Sequence, residues 1–216
     1  MMLRSRHAVR MLTMLLAVSA SGLAGCAGIK ALAYYTAPQT EKIPPEYNKL
    51  AGRKVLVYVW APPEVLWDYP KVRLDLATYV GAYLTKNVKD ITLVDTVRVE
   101  DYIERNHTFE IDPVQIGREF KADVVLHLSV FQHSMRDPGM AHFYRGRVGA
   151  SVVVWDVSRP GEPADRIPLR DVLVAVPPDS ATGYANIQPT QIRQATYDAF
   201  AVEVGRKFHE WDRPLE

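Results

Sequence analysis

Apolar positions along the chain fall into short runs whose spacing predicts strands alternating with helices. From Lys54, the run Val55-Leu56-Val57-Tyr58-Val59-Trp60 is β-branched and aromatic and is stopped by Pro62-Pro63, which predicts a buried strand. Between Lys71 and Lys89, Val72, Leu76, Tyr79/Val80, Tyr83/Leu84 and Val88 recur at helical spacing and predict an amphipathic helix. Ile91 to Val94 reads as a short strand and Val99 to Asn106 as a short helix. A second helix starts with Asp112 as N-cap and Pro113 in its first turn. Asp123 to Gln132 is the third strand. Its face Val124, Leu126, Leu128, Val130 is wholly apolar, and the face Val125, His127, Ser129, Phe131 is mixed.

Phe143 to Val157 alternates Arg145, Arg147, Gly149 and Ser151 with Tyr144, Val148, Ala150, Val152 and Val154, predicting a long strand with one packed and one wet side. Arg159 to Pro163 is a turn by composition. Ile167 to Val176 is the last strand, and Pro168 assigns it to an edge. Ile192, Thr196, Ala199/Phe200, Val204, Phe208 and Trp211 form the stripe of a closing helix that lies on the sheet. The expected fold is therefore α/β (α+β): a mixed sheet of about five strands in the order β-α-β-α-β-β-β-α, with helices packed on it. The first three strands need crossovers and are parallel in part; the last three form a meander.

The N-terminal pattern is of another kind. Arg4, Arg6, His7 and Arg10 precede an apolar stretch from Met11 to Ala20, followed by small residues. Even counted through Gly25, the uncharged run is 15 residues, short of the roughly 20 that a spanning helix needs. Residues 1–25 read as a cleaved export signal. Residues 26–52, broken by Pro38, Pro44 and Pro45, read as a tether whose ends stand about 25–30 Å apart if it is flexible. Residues 53–216 are the expected single domain.

Composition is ordinary, with 48% hydrophobic and 24% charged residues, which excludes collagen-like, low-complexity and wholly disordered chains. A formal charge of +1 offers no footprint for nucleic acid. Removing residues 1–25 leaves 23 Lys+Arg against 25 Asp+Glu, a charge of −2. The single cysteine, Cys26, excludes an internal disulfide and any multi-cysteine zinc site.

Motifs of catalysis are few. The chain has no Gly-x-Ser-x-Gly elbow, no phosphate-binding Gly-x-x-x-x-Gly-Lys loop, no Gly-x-Gly-x-x-Gly and no His-Glu-x-x-His. No cofactor is expected, and an enzyme is not the expected class. The one metal candidate is the pair His133 and His142 flanking the Ser134–Ala141 loop, with Asp137 nearby. It supports an alternative, a periplasmic metal-dependent hydrolase using hairpin histidines. Met140, Phe143 and Tyr144 give the same hairpin an apolar tip, and Arg145 and Arg147 lie on its wet face. These five are the candidate partner-binding residues. The loop is too short and too polar to add membrane-spanning strands of roughly 9–11 residues each, so a pore is excluded.

Leu23-Ala24-Gly25-Cys26 resembles the lipobox of bacterial lipoproteins, in which the cysteine thiol receives a diacylglycerol and the new amine is acylated, palmitate being a typical acyl chain. Ala27 after the cysteine, by resemblance to enterobacterial sorting, implies the outer membrane, with the domain facing the periplasm. The tether, the Gly117 to Asp123 segment running into Val124-Val125-Leu126, and the hairpin ending in Val152 to Val157 resemble a group of envelope proteins. It includes the curli-secretion protein CsgG, the penicillin-binding-protein activator LpoB and the TolB N-terminal domain. The auxiliary lipoproteins of ABC-type transporters share that layout. The resemblance implies a non-catalytic binding or assembly component of a secretion, lipid-transport or peptidoglycan-synthesis machine. Its partners would be the membrane, through the lipid, and envelope proteins or further copies of itself.

Overall fold

The computed structural model describes residues 40–106, 110–136, 143–159, 161–179, 183–185 and 187–215. Ile43–Trp211 forms one compact unit. The described residues flanking it belong to a second, built on the pairing of β1 (Thr40–Ile43) with β8 (Trp211–Pro214), where Arg213 and Glu41 form an ion pair of 2.6 Å.

Within the larger unit, a six-stranded sheet runs in the order β3 (Thr92–Leu93), β2 (Lys54–Trp60), β4 (Val124–Ser134), β5 (Gly146–Asp156), β6 (Asp165–Pro168). β7 (Val172–Val176) also pairs with β5. β2 is parallel to both β3 and β4, and β5 is antiparallel to β4, β6 and β7. The mixed α+β class is therefore as expected. Parallel neighbours require crossovers, and the helices α2 (Val72–Asn87), α3 (Thr96–Asn106) and α4 (Pro113–Glu119) supply them.

The period-2 pattern of β4 separates two apolar layers. Val124, Leu126, Leu128 and Val130 join Val148, Val152 and Val154 of β5 beneath α2 and α5 (Pro189–Gly205), where Leu76, Val80, Leu84, Ile192, Phe200 and Val204 are fully buried. On the opposite face Leu56, Tyr58 and Val125 pack with Val99 and Ile103 of α3 and Ile116 of α4. Asp112 caps α4 as its side chain accepts a 3.0 Å hydrogen bond from the Val114 amide.

Three expectations are corrected. The anticipated last strand, 167–176, is two strands: β6 pairs with the second half of β5 and β7 with the first half. The break has a local cause. Leu169 donates its amide to the Val152 carbonyl at 2.9 Å, the Arg170 amide is taken by Glu46 Oε2 at 3.1 Å, and Pro168 has no amide hydrogen to give. Pro168 does stand on an edge strand. An unanticipated helix, α1 (Pro63–Asp68), follows β2, with Pro63 in its first turn. Finally, the domain begins before residue 53. Tyr47 and Leu50, assigned to the tether, are core residues, 6% and 1% exposed. Tyr47 stacks edge-on against Phe208 and donates its amide to the Lys207 carbonyl at 2.9 Å. Beside it Glu46 receives the Lys207 ammonium at 3.0 Å and the Arg170 guanidinium at 2.9 Å.

Candidate functional site

The carboxyl ends of the parallel strands β2 and β4 open toward the same side of the sheet, the position where ligand crevices form in α/β folds. There the turn from α1 to α2, the end of β4 and the first turns of α5 converge. A cleft of about 340 Å³ lies between them, lined by Asp68, Tyr69, Lys71, Asp75, Arg193 and Tyr197 among others. A smaller one of about 180 Å³, lined by Met135, Arg136 and Tyr144, shares Tyr69 and Arg193 with it. Arg193 and Tyr197 are four residues apart on α5, which puts both on one face of the helix.

His133 lies behind this cleft. Its ring stands 4.3 Å from that of Tyr69, and its Nε2 is 3.0 Å from the Tyr197 hydroxyl. Burial, reinforced by the Arg193 charge, pushes the His133 pKa down to about 4, so the ring is neutral at physiological pH. Burial and the nearby Asp75 carboxylate raise the Tyr197 hydroxyl well above its usual value, so it stays protonated. His127 is likewise brought down to about 4 by burial and then by Arg166. It stacks on Tyr58 with ring centroids 4.9 Å apart, and its Nε2 has no hydrogen-bond partner among the described residues.

The sequence candidates are placed as follows. Cys26, Met140, His142 and Asp137 lie outside the described residues. His133, the described member of the metal candidate, is turned inward between Tyr69 and Tyr197. Among the described residues, no group of three His, Cys, Asp or Glu side chains is placed to hold a metal ion. Phe143 is partly buried. Tyr144 borders the smaller cleft, forms an antiparallel bridge with Tyr184 and carries the Arg136 guanidinium 5.8 Å from its ring centroid.

Arg145 and Arg147 require a correction. Arg145 is only 5% exposed, so the expected wet face is closed at this point. Both guanidiniums donate to Asp179 Oδ1, at 2.9 Å and 2.8 Å, and Arg145 also reaches the Pro178 carbonyl at 3.2 Å. Those hydrogen bonds, Arg147 first, hold the Asp179 carboxyl below its ordinary pKa. The two arginines thus secure the segment after β7 to the start of β5.

The residues of the larger cleft escape a reading of the sequence because 68–75 and 193–197 are distant in the chain and belong to no motif. The one available signal is the spacing of Arg193 and Tyr197 beside the buried stripe residues Ile192 and Thr196.

No family profile and no curated protein matches the chain. Among solved structures it is similar to the PelC dodecamer from Paraburkholderia phytofirmans, with 10% identity, 79% of this chain and 98% of that chain covered, and a TM-score of 0.46. It is also similar to lipoprotein GNA1162 from Neisseria meningitidis, with 14% identity, coverage of 70% and 95%, and a TM-score of 0.39. A third similar structure is a minor lipoprotein from Acinetobacter baumannii, with 15% identity, coverage of 74% and 92%, and a TM-score of 0.35.

Proposed function

We propose that the protein is a lipid-anchored component of a bacterial cell envelope whose folded domain binds a partner or ligand and catalyses no reaction. The observation that carries this reading is Leu23-Ala24-Gly25-Cys26, following a basic segment and an apolar run of signal-peptide length and containing the only cysteine of the chain. A diacylglycerol on the thiol together with an acyl chain on the new amine makes a stable anchor, whereas a single chain binds marginally. Ala27 favours the outer membrane, with the domain held in the periplasm.

The domain supports the non-catalytic half of the proposal. Of the described histidines of β4, His133 packs between Tyr69 and Tyr197 and His127 stacks on Tyr58, and burial lowers both to about 4, which makes each a weak base at neutral pH. The packing of His133 between Tyr69 and Tyr197 favours the binding reading over the alternative of a metal-dependent hydrolase using hairpin histidines. Radiolabelled palmitate tests the anchor. Wild type takes up label and sediments with membranes, and Cys26→Ser does neither. A variant that stays labelled and membrane-bound overturns the proposal.

A further inference from the structure

The charged side chains around the larger cleft differ from those elsewhere in the domain. Partly buried charges of this fold are as a rule paired: Arg53 with Asp156 at 2.8 Å and Arg73 with Glu100 at 2.5 Å. Asp75 and Arg193 are also partly buried, and they face the same cleft as the exposed Asp68 and Lys71. None of these four side chains is engaged in a hydrogen bond or an ion pair with any described residue. A partly buried charge without a partner is costly, and a ligand of opposite sign relieves that cost. The four charges sum to zero. A simple anion meets two carboxylates here, a simple cation meets an ammonium and a guanidinium, and an apolar ligand strips water from all four without compensation. A molecule that carries both signs satisfies the set. The volume of about 340 Å³ is at the small end of ligand-binding clefts. The buried hydroxyl of Tyr197, fixed by His133, adds a polar group at its wall.

We propose that this cleft binds a short peptide with both ends free, its ammonium received by Asp75 and Asp68 and its carboxylate by Arg193 and Lys71. The inference rests on the reading of the domain as a binding module. It is independent of the anchor, since palmitate labelling reports on Cys26 alone and peptide titration on the cleft alone.

The test is a calorimetric titration of the full-length, detergent-solubilised protein with dialanine, and in parallel with N-acetyl-alanine amide and inorganic phosphate. Dialanine binds saturably, and the capped compound and phosphate do not. Asp75→Asn and Arg193→Gln each weaken dialanine binding about tenfold or more, the scale of losing one charge-assisted hydrogen bond. Lys71→Gln, at an exposed position, weakens it with an unchanged thermal midpoint, so a folding defect in the other two variants leaves the test intact. The proposal is overturned if dialanine shows no saturable binding. It is equally overturned if the capped compound or phosphate binds as well as dialanine, or if Lys71→Gln and every variant that folds bind like wild type.

Discussion

The Arg53 guanidinium grips the Asp156 carboxylate with two hydrogen bonds, 2.8 Å and 2.9 Å, fastening the residue before β2 to the last residue of β5. Bidentate geometry of this kind fixes the relative position of two segments 103 residues apart, whose strands flank β4 in the sheet. Burial pushes the Asp156 pKa up, but hydrogen bonds from Arg53 and then Ser158 outweigh it and bring the group down to about 2.

A carboxylate with a depressed pKa stabilises the fold above its unfolded value, near 3.8, and that stability is lost as pH falls through about 2. With screening at this partly exposed position, the loss is about 1 kcal/mol. Urea midpoints measured from pH 5 to pH 2 therefore fall for wild type. In Asp156→Asn the midpoint is lower at pH 5 and this component of the acid slope is absent.

His127 produces a separate acid response. Its folded pKa of about 4 lies below the ordinary histidine value of 6.5, so the unfolded chain binds the extra proton between those values. Stability contributed by the neutral ring is complete above about pH 6.5 and declines toward pH 4, at up to about 1.4 kcal/mol per pH unit. His127→Phe keeps a flat ring against Tyr58 and reduces the slope by one proton. A slope equal to wild type in that variant shows that the histidine is not neutral in the fold.

Two glycines of β5 separate rigid from yielding contacts. A Cβ on Gly146 meets Thr196 Oγ1 at 1.7 Å and Thr196 Cβ at 2.7 Å, inside the packed layer under α5. A Cβ on Gly149 meets the ring edge of Phe131 at 2.5 Å, but that ring is 54% exposed and free to swing outward. Gly146→Ala costs about 1–3 kcal/mol by overpacking, and Gly149→Ala costs less than about 1 kcal/mol. Chemical denaturation of the two variants side by side checks the order, and equal losses contradict it.

Asp179 is the hinge pin of the segment after β7, since Arg145 and Arg147 both donate to one of its oxygens. In Asp179→Asn that anchorage weakens. Hydrogen exchange of the Tyr144 and Tyr184 amides, which bridge at 2.9 Å and 3.0 Å, accelerates, and exchange in β4 stays unchanged. Protection at Tyr144 equal to wild type contradicts this role.

Strong periodicity made much of this architecture legible. Val124 to Val130 declared both faces of β4, the Val72, Leu76, Val80, Leu84 stripe declared α2, and Asp112-Pro113 declared the start of α4. Where a signal rests on single residues it failed. Tyr47 and Leu50 are isolated apolar residues in a proline-containing stretch, and only Phe208 and its neighbours, far along the chain, make them core. Locally only the two successive polar residues Arg170 and Asp171 mark the change from β6 to β7, an interruption short enough to be read through; Glu46, more than a hundred residues away, takes the amide there. Arg145 looked solvent-facing because arginine usually is, and a carboxylate 34 residues later reverses that prior. The cleft is a product of convergence alone: its charges come from two segments that share no pattern.

The clasp formed by Glu46 and Tyr47 on Lys207 has a mechanical meaning. It sits past the C-terminal end of α5, and the cleft lies at that helix's first turns, about 20 Å away along its axis. Along the chain, Glu46 and Tyr47 precede β2, so tension arriving at them falls on the Tyr47 amide and the Glu46 ion pairs before it reaches that strand. Standing in the chain just ahead of the first core strand, the clasp is a fastening in series with the sheet, set at the end of α5 remote from the cleft.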